Sequence, residues 1–278
     1  MLLLRATTAR VLRPSVLQRW TSSWTFSSGL ASLPHPKKKR GEDAAFVSPT
    51  AVGVADGVGG WASKGIDSGA YSRALMKVCE ATPVSNPVAR LNAAYEAATV
   101  LVDLLAAYMV PGSSTACVVS LQGSAEITAA NLGDSGFLHC RQEDSKWTLL
   151  FESPPQCHYF NCPLQLGMDS RDQPKHADVT QHTALPNDLI LVATDGVFDN
   201  LFTEELLQLL DQISEIHPPT PENMPVFAKI IAEVTQKVAA SETRMTPFAV
   251  SARHAGYTST TGGKMDDITV VTALVQEN

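Results

Sequence analysis

Acidic residues are missing from the start of the chain. None of its 28 Asp and Glu precedes Glu42, whereas eight of its 21 basic residues do (Arg5, Arg10, Arg13, Arg19, Lys37, Lys38, Lys39 and Arg40). No apolar run approaches the roughly 20 residues of a bilayer-spanning helix, so a membrane span is excluded. Cysteines number five and contain no C-x-x-C pair, which argues against a disulfide framework and for reduced thiols in an intracellular compartment. There is no Walker A sequence and no H-E-x-x-H, and the histidines lack ligand spacing, which removes P-loop ATPase and zinc-protease readings. From Glu42 onward 13 basic residues face 28 acids, a net charge of −15. A body this acidic is unsuited to nucleic acid, which requires many phosphate-neutralising cations. It is suited to divalent cations.

The 278 residues divide by composition into a leader, residues 1–40, and one domain, residues 41–278. The leader is rich in Arg, Ser and Thr and acid-free, the composition of an organellar transit peptide. Its longest apolar run, Met1 to Leu4, is too short for a secretory signal. Mitochondrial import, to the matrix, is the expectation and chloroplast the second choice. The run Pro36-Lys37-Lys38-Lys39-Arg40 competes as a nuclear signal.

Beyond the leader, short β-type runs alternate with longer helical ones, with no dividing linker. Strands are predicted at Ala44–Val47, Val52–Ala55, Thr115–Leu121, Ala125–Asn131, Phe137–Cys140, Trp147–Phe151, Ala177–Gln181, Leu189–Thr194 and Ile268–Val275. Apolar spacing predicts helices from Asn86 to Met109, from near Asp67, after Thr203 as N-cap, and from Thr220-Pro221-Glu222. Consecutive strands with short links point to antiparallel sheets. The expected class is α+β, two packed sheets covered by helices.

The chemistry lies in the acids at strand ends. If Ser48-Pro49-Thr50-Ala51 is a turn and Val47 pairs with Val52, residue numbers across the hairpin sum to 99 and Asp43 falls opposite Asp56. Two carboxylates about 4 Å apart at an effective dielectric near 20 repel by roughly 4 kcal/mol, and a divalent cation is the obvious compensation. Asp195 follows the apolar run Leu189–Thr194, and Asp266-Asp267 precede Ile268. Antiparallel neighbours place one strand's end beside another's start, so Asp43, Asp56, Asp195 and Asp266 can share one rim. Such hard oxygen ligands select Mg²⁺ or Mn²⁺. Taken singly, Asp56-Gly57 and Asp195-Gly196 read as ordinary turns; their coincidence carries the argument.

Six segments, in order, give this rim a family resemblance: Gly41-Glu42-Asp43, Val54-Ala55-Asp56-Gly57-Val58-Gly59-Gly60-Trp61, Gly112-Ser113-Ser114-Thr115-Ala116, Asn131-Leu132-Gly133-Asp134-Ser135-Gly136, Ala193-Thr194-Asp195-Gly196-Val197-Phe198-Asp199-Asn200 and Asp266-Asp267-Ile268-Thr269. From about residue 41 to 275 the chain resembles the PPM family, the metal-dependent type 2C Ser/Thr protein phosphatases, and most resembles its mitochondrial matrix branch. The resemblance implies a four-layer αββα sandwich and a site for two Mn²⁺ or Mg²⁺ ions. Asp56 would bridge both metals, with the Gly57 carbonyl on one and Asp195 and Asp266 on the other. Glu42 and Asp43 would act through metal-bound waters. Asp134 and Asp199, with Asp195, match a weaker third metal position, and Asp267 matches a neighbour of a ligand. The implied reaction is hydrolysis of phosphoserine and phosphothreonine in proteins by a metal-activated water.

The chain departs from the family pattern in three places. Val58 stands where many members carry a His proposed as general acid; His158 or a metal-bound water would have to substitute, and His158 reads more simply as a surface residue. The phosphate-binding Arg position counts back to Lys38, with Lys39 and Arg40 beside it; Lys lacks the bidentate fork of Arg. Gly136 replaces the Arg often found after Gly-Asp-Ser. Gly133-Asp134-Ser135-Gly136 superficially matches a trypsin-like nucleophile region, but Phe137 follows where that family continues with Gly. A second functional class is a non-catalytic adaptor of the same fold on mitochondrial membrane proteins. Residues Ser153 to Lys175 are expected to form a flap beside the cleft, and oligomeric state is not legible.

Overall fold

The computed structural model describes residues 23–100, 110–123, 125–258 and 261–278. Fourteen strands and six α-helices, numbered in chain order, are found among them. One sheet contains β1 (Trp24–Leu33), β14 (Ile268–Glu277), β13 (Leu189–Ala193), β7 (Gly136–Glu143) and β8 (Lys146–Glu152), adjacent in that order. The other contains β12 (Asp178–Thr183), β6 (Glu126–Leu132), β5 (Ala116–Gln122), β3 (Ala51–Ala55) and β2 (Ala44–Val47). Every neighbouring pair in both sheets is antiparallel. Short strands β4 (Ser113–Ser114), β9 (Cys157–Tyr159), β10 (Cys162–Pro163) and β11 (Leu166–Gly167) form two small ribbons, β9 with β10 and β4 with β11.

Strand β13, Leu-Ile-Leu-Val-Ala, is buried at every position, and its alternating side chains show why. Leu189, Leu191 and Ala193 join a core with α4 (Thr203–Ile216) and α5 (Met224–Ala239), through Leu206, Leu210, Phe227 and Ile231. Ile190 and Val192 face the opposite sheet, among Val52, Val54, Val119, Ile127, Val271 and Ala273. A third core packs Phe46, Val118 and Leu132 against Tyr71, Leu75 and Leu91 of α1 (Gly69–Ala81) and α2 (Pro87–Val100). Helices, two sheets and helices therefore stack as four layers, the expected αββα sandwich. An antiparallel strand normally alternates apolar and polar residues; one covered on both faces reads as a continuous apolar run.

The hairpin register is as expected: Ala44 pairs with Ala55, Ala45 with Val54, Phe46 with Gly53 and Val47 with Val52. The leader boundary is corrected. Residues 24–33, assigned to a leader ending at residue 40, form β1 and pair with β14 over ten positions, Trp24 with Glu277 through Leu33 with Ile268. Only Phe26 and Gly29 of its Ser-rich sequence are buried, and Leu30 is exposed; a half-polar edge strand has the composition of a presequence. The rest of the expected leader, residues 1–22, lies outside the described residues, as does the 101–109 part of the helix expected to reach Met109.

Two helix starts shift slightly. Thr203 is the first helical residue instead of the cap: Glu205 Oε2 accepts the Phe202 N–H at 3.0 Å, and Thr203 bonds Glu152. Pro221–Asn223 is a single 3₁₀ turn ahead of α5. Two further helices were not anticipated, α3 (Asp195–Phe198) and α6 (Pro247–His254).

Gly29 shows how tightly β1 is docked. A Cβ at this position would lie 2.2 Å from the backbone carbon of Met224 on α5. Gly29→Ala is therefore expected to cost about 1–3 kcal/mol by overpacking, read as a lower urea midpoint. An unchanged midpoint would show that β1 is not part of the cooperative domain.

Candidate metal centre

The rim where the strands end gathers the acids. Asp43 and Asp56 flank the paired positions of the β2–β3 hairpin. Asp134 lies in the link between β6 and β7, Asp195 opens α3 directly after β13, Asp199 follows α3, and Asp266 precedes β14. Thr194 joins the two sheets here. Its hydroxyl accepts the Thr269 N–H at 3.1 Å and donates to Asp43 Oδ2 at 2.8 Å. Thr115 fixes Asp56: Thr115 Oγ1 accepts the Asp56 N–H and the Thr115 N–H donates to the Asp56 carbonyl, both at 3.0 Å. Neither threonine had been given a role from sequence, although both lie inside the quoted segments.

Gly57 sits in a crowded part of the chain. A Cβ there would lie 2.4 Å from the Ser68 carbonyl oxygen and 2.8 Å from that of Glu42. No side chain fits, which keeps the backbone beside Asp56 free to approach a ligand.

The electrostatics follow from burial and crowding. Burial raises Asp43 to about 7. It raises Asp134 to about 8 and Asp199 to about 7, with the field of Asp195 adding to both. Asp56 is pushed well above the ordinary carboxylate range by burial and then by Asp195, Asp43, Asp266 and Asp134; Asp266 is also raised, by burial and Asp195. One oxygen each of Asp43, Asp134 and Asp195 is buried with no hydrogen-bond partner among the described residues.

Two ammonium groups meet this charge. Lys38 Nζ lies 2.7 Å from Glu42 Oε2, 2.9 Å from Asp267 Oδ2 and 4.0 Å from Asp266 Oδ1. Asp267 also accepts the N–H groups of His35 and Glu42, at 2.6 and 2.7 Å. It thus pins the 35–42 segment to the residues that lead into β14. Of the three candidate phosphate-binding cations, Lys38 reaches the rim, whereas Lys39 and Arg40 are exposed. Lys264, which sequence reasoning missed, donates to Asp195 Oδ2 at 2.5 Å and Asp199 Oδ2 at 2.7 Å, and lies 3.4 Å from Asp266 Oδ2. Its signal was a lone cation two residues before Asp266.

Among the described residues the six acids Asp43, Asp56, Asp134, Asp195, Asp199 and Asp266 thus meet two ammonium groups: Lys264 pairs with Asp195, Asp199 and Asp266, and Lys38, held mainly by Glu42 and Asp267, reaches Asp266 at 4.0 Å. Among the described residues no three acids, histidines or cysteines form a ready metal cage, because Asp195, Asp199 and Asp266 converge on Lys264. The donor set still fits hard divalent cations. It is all oxygen, it carries excess negative charge, and three of its oxygens are buried and unsatisfied.

Other sequence candidates fall outside the cluster. His158 pairs with Asp172 at 2.9 Å and is half-exposed. Ser135 Oγ is buried against Thr115 Oγ1 at 2.7 Å, a structural bond. Gly136 backs onto Ser153, which would lie 2.5 Å from an added Cβ; an Arg has no room there. The expected flap contains the β9–β10 ribbon, with Phe160 packed on Phe248 of α6 and on Tyr257, both at 5.3 Å.

No family model matches the chain. Among curated proteins, the human protein phosphatase PTC7 homolog is 38% identical over 257 residues, covering 85% of this chain and 80% of that protein. A probable protein phosphatase 2C (55) of Arabidopsis thaliana is 39% identical over 254 residues, covering 89% of this chain. The chain spans about half the length of that plant relative, 51%. Among solved structures, the photosystem II phosphatase PBCP superposes with a TM-score of 0.76 at 28% identity, over 90% of this chain and 98% of that one. The catalytic domain of the Ser/Thr phosphatase PstP, solved with two manganese ions, shares the fold at a TM-score of 0.61 and 18% identity, over 91% of this chain and all of that one. A four-layer sandwich with an acid-lined rim is the architecture of a metal-dependent phosphatase. The chain belongs to the PPM family of type 2C protein phosphatases.

The raised carboxyl groups set a pH trend for the metal-free protein. A folded-state value above the unfolded one means the folded chain binds more protons, so stability falls as pH rises through the folded value. From the ordinary 3.8 to the 7–8 reached by Asp43, Asp199 and Asp134, ionisation progressively destabilises. The unfolding temperature in a chelator should drop between about pH 5 and pH 8, and Mn²⁺ should flatten the drop. A metal-free midpoint that rises across this window would contradict the acid clustering.

Proposed function

We propose that the chain hydrolyses phosphoserine and phosphothreonine esters in proteins with the help of two Mn²⁺ or Mg²⁺ ions. The observation that carries this reading is the convergence of six carboxyl groups from both sheets on one rim, with buried oxygens left unsatisfied. Asp56 would hold both ions, the Gly57 carbonyl one of them, and Asp195 and Asp266 the other. Bound there, the ions would supply positive charge for the phosphoryl oxygens and make water acidic near neutral pH.

The protein's own groups orient and restrict the reaction. Thr115 holds the Asp56 backbone, and Thr194 turns one oxygen of Asp43 toward itself and leaves the other free. The thiol at the edge of the site, Cys157, is pushed up to about 11 by burial and then by Asp134 and Asp199. It is a thiol and not a thiolate at neutral pH, hence a poor nucleophile. Ser135 is held by Thr115. The site therefore favours direct attack of water on phosphorus over a phosphoenzyme. Lys38 stands at the mouth as the cation placed to meet a phosphate, with Glu42 and Asp267 holding it there. A pure adaptor would have no use for this strained concentration of acid, which favours turnover over the non-catalytic reading.

The acid-free residues 1–22 carry the proposal of import into mitochondria, with the matrix as destination, and phosphoproteins of that compartment as substrates. Residues 1–22 fused to a fluorescent reporter should colocalise with mitochondria; a diffuse, chloroplast or nuclear signal would refute the address.

For the site, Asp56→Asn and Asp195→Asn should each lower Mn²⁺-dependent phosphate release from a phosphopeptide or aryl phosphate by about 100-fold or more. Removing a buried, repelled charge should at the same time stabilise metal-free Asp56→Asn by about 1 kcal/mol. Undiminished turnover in either variant would count decisively against the assignment.

A further inference from the structure

The segment around Lys264 is built to hold its side chain inside the acid rim. Asn200, fully buried, clamps the Lys264 backbone on both sides: Oδ1 accepts the Lys264 N–H at 2.9 Å, and Nδ2 donates to the Lys264 carbonyl at 2.8 Å. The same amide donates to the Gly196 carbonyl at 2.8 Å, so Lys264 is fixed relative to the start of α3. Thr246 ties α6 to the Gly262 carbonyl at 2.9 Å, and the Phe248 N–H bonds the Asp199 carbonyl at 3.0 Å. The Phe248 ring then lies 5.4 Å from Nζ, within the range at which an aromatic face attracts a cation.

The ammonium divides the carboxylate oxygens. It bonds Oδ2 of Asp195 and Oδ2 of Asp199 and lies farther, 3.4 Å, from Oδ2 of Asp266, while Oδ1 of Asp195, on a side chain 8% exposed, is buried without a partner. Asp195 thus satisfies Lys264 with one oxygen and keeps the other for a different cation. Asp134 likewise keeps a buried, unpartnered oxygen.

We propose that the Lys264 ammonium is a resident cation taking the place of a divalent metal between Asp195 and Asp199. The chain then holds two metal ions on the Asp56 side and excludes a third from the Asp134, Asp195 and Asp199 position. This rests on the two-metal reading above. A fixed ammonium supplies part of the needed charge at every metal concentration, and ties it to Phe248 and through that ring to Phe160 on the flap.

The test is a titration of the full chain, stripped with a chelator, with Mn²⁺ alone, following free Mn²⁺ by electron paramagnetic resonance. The wild type should take up two equivalents, Lys264→Arg two, and Lys264→Met three. Lys264→Met combined with Asp199→Asn should return to two. Three equivalents in the wild type, or two in a folded Lys264→Met, would overturn the proposal. A wild type that binds no Mn²⁺ would instead bring down the metal-dependent reading itself. A measurement on the wild type alone guards against a variant that fails to fold. Reductive methylation read by mass spectrometry should leave Lys264 unmodified both in chelator and in saturating Mn²⁺. Modification that appears only with Mn²⁺ would show that metal displaces the ammonium, and would refute permanent residence.

Discussion

Mutual repulsion among carboxyl groups is the constraint around which this molecule is arranged. Asp56 alone feels four acidic neighbours. An assembly of this kind survives only on a scaffold that cannot relax it away. The two sheets provide one: β13 and β3 are buried at every position, and packed cores on both faces give the rim residues no freedom to splay apart. The sandwich stores at one end a charge imbalance that a flexible protein would dissipate.

Several small groups turn that stored imbalance into order. Thr194 spans the sheets with one hydroxyl, Thr115 holds Asp56 by its backbone, and Asp267 gathers two N–H groups and an ammonium from the 35–42 segment. None of these contacts involves chemistry on a substrate. They restrict which carboxylate oxygens remain available to a hard cation.

Much of this was legible in the sequence where a local rule had one solution. A four-residue turn and one pairing set the hairpin register, and Asp43 came opposite Asp56. The apolar run before Asp195 marked a strand covered on both faces. Other elements were hidden for identifiable reasons. Strand β1 is an edge, half polar and rich in Ser, and its partner β14 is more than 200 positions away; no local pattern distinguishes it from a leader. Helix α6 is only eight residues long and begins at Pro247, too short for a periodic stripe to declare itself. Lys264 was overlooked because it follows two glycines in a loop, while two of its acidic partners, Asp195 and Asp199, come from a segment more than 60 residues away. Val58, read as a missing acid, donates its N–H to the Ser113 carbonyl at 2.9 Å; its backbone is fixed even though its side chain brings no proton.

The ladder between β1 and β14 bears on maturation. Leu33 pairs with Ile268, one residue beyond Asp267, so the strand nearest the amino end braces the segment that presents Asp266 to the rim. Loss of the residues upstream of Trp24 would leave this ladder whole. A cut farther along would peel away an outer strand, uncover the edge of β14, and loosen the acids it steadies. An intact first strand and an ordered acid rim are thereby made the same requirement.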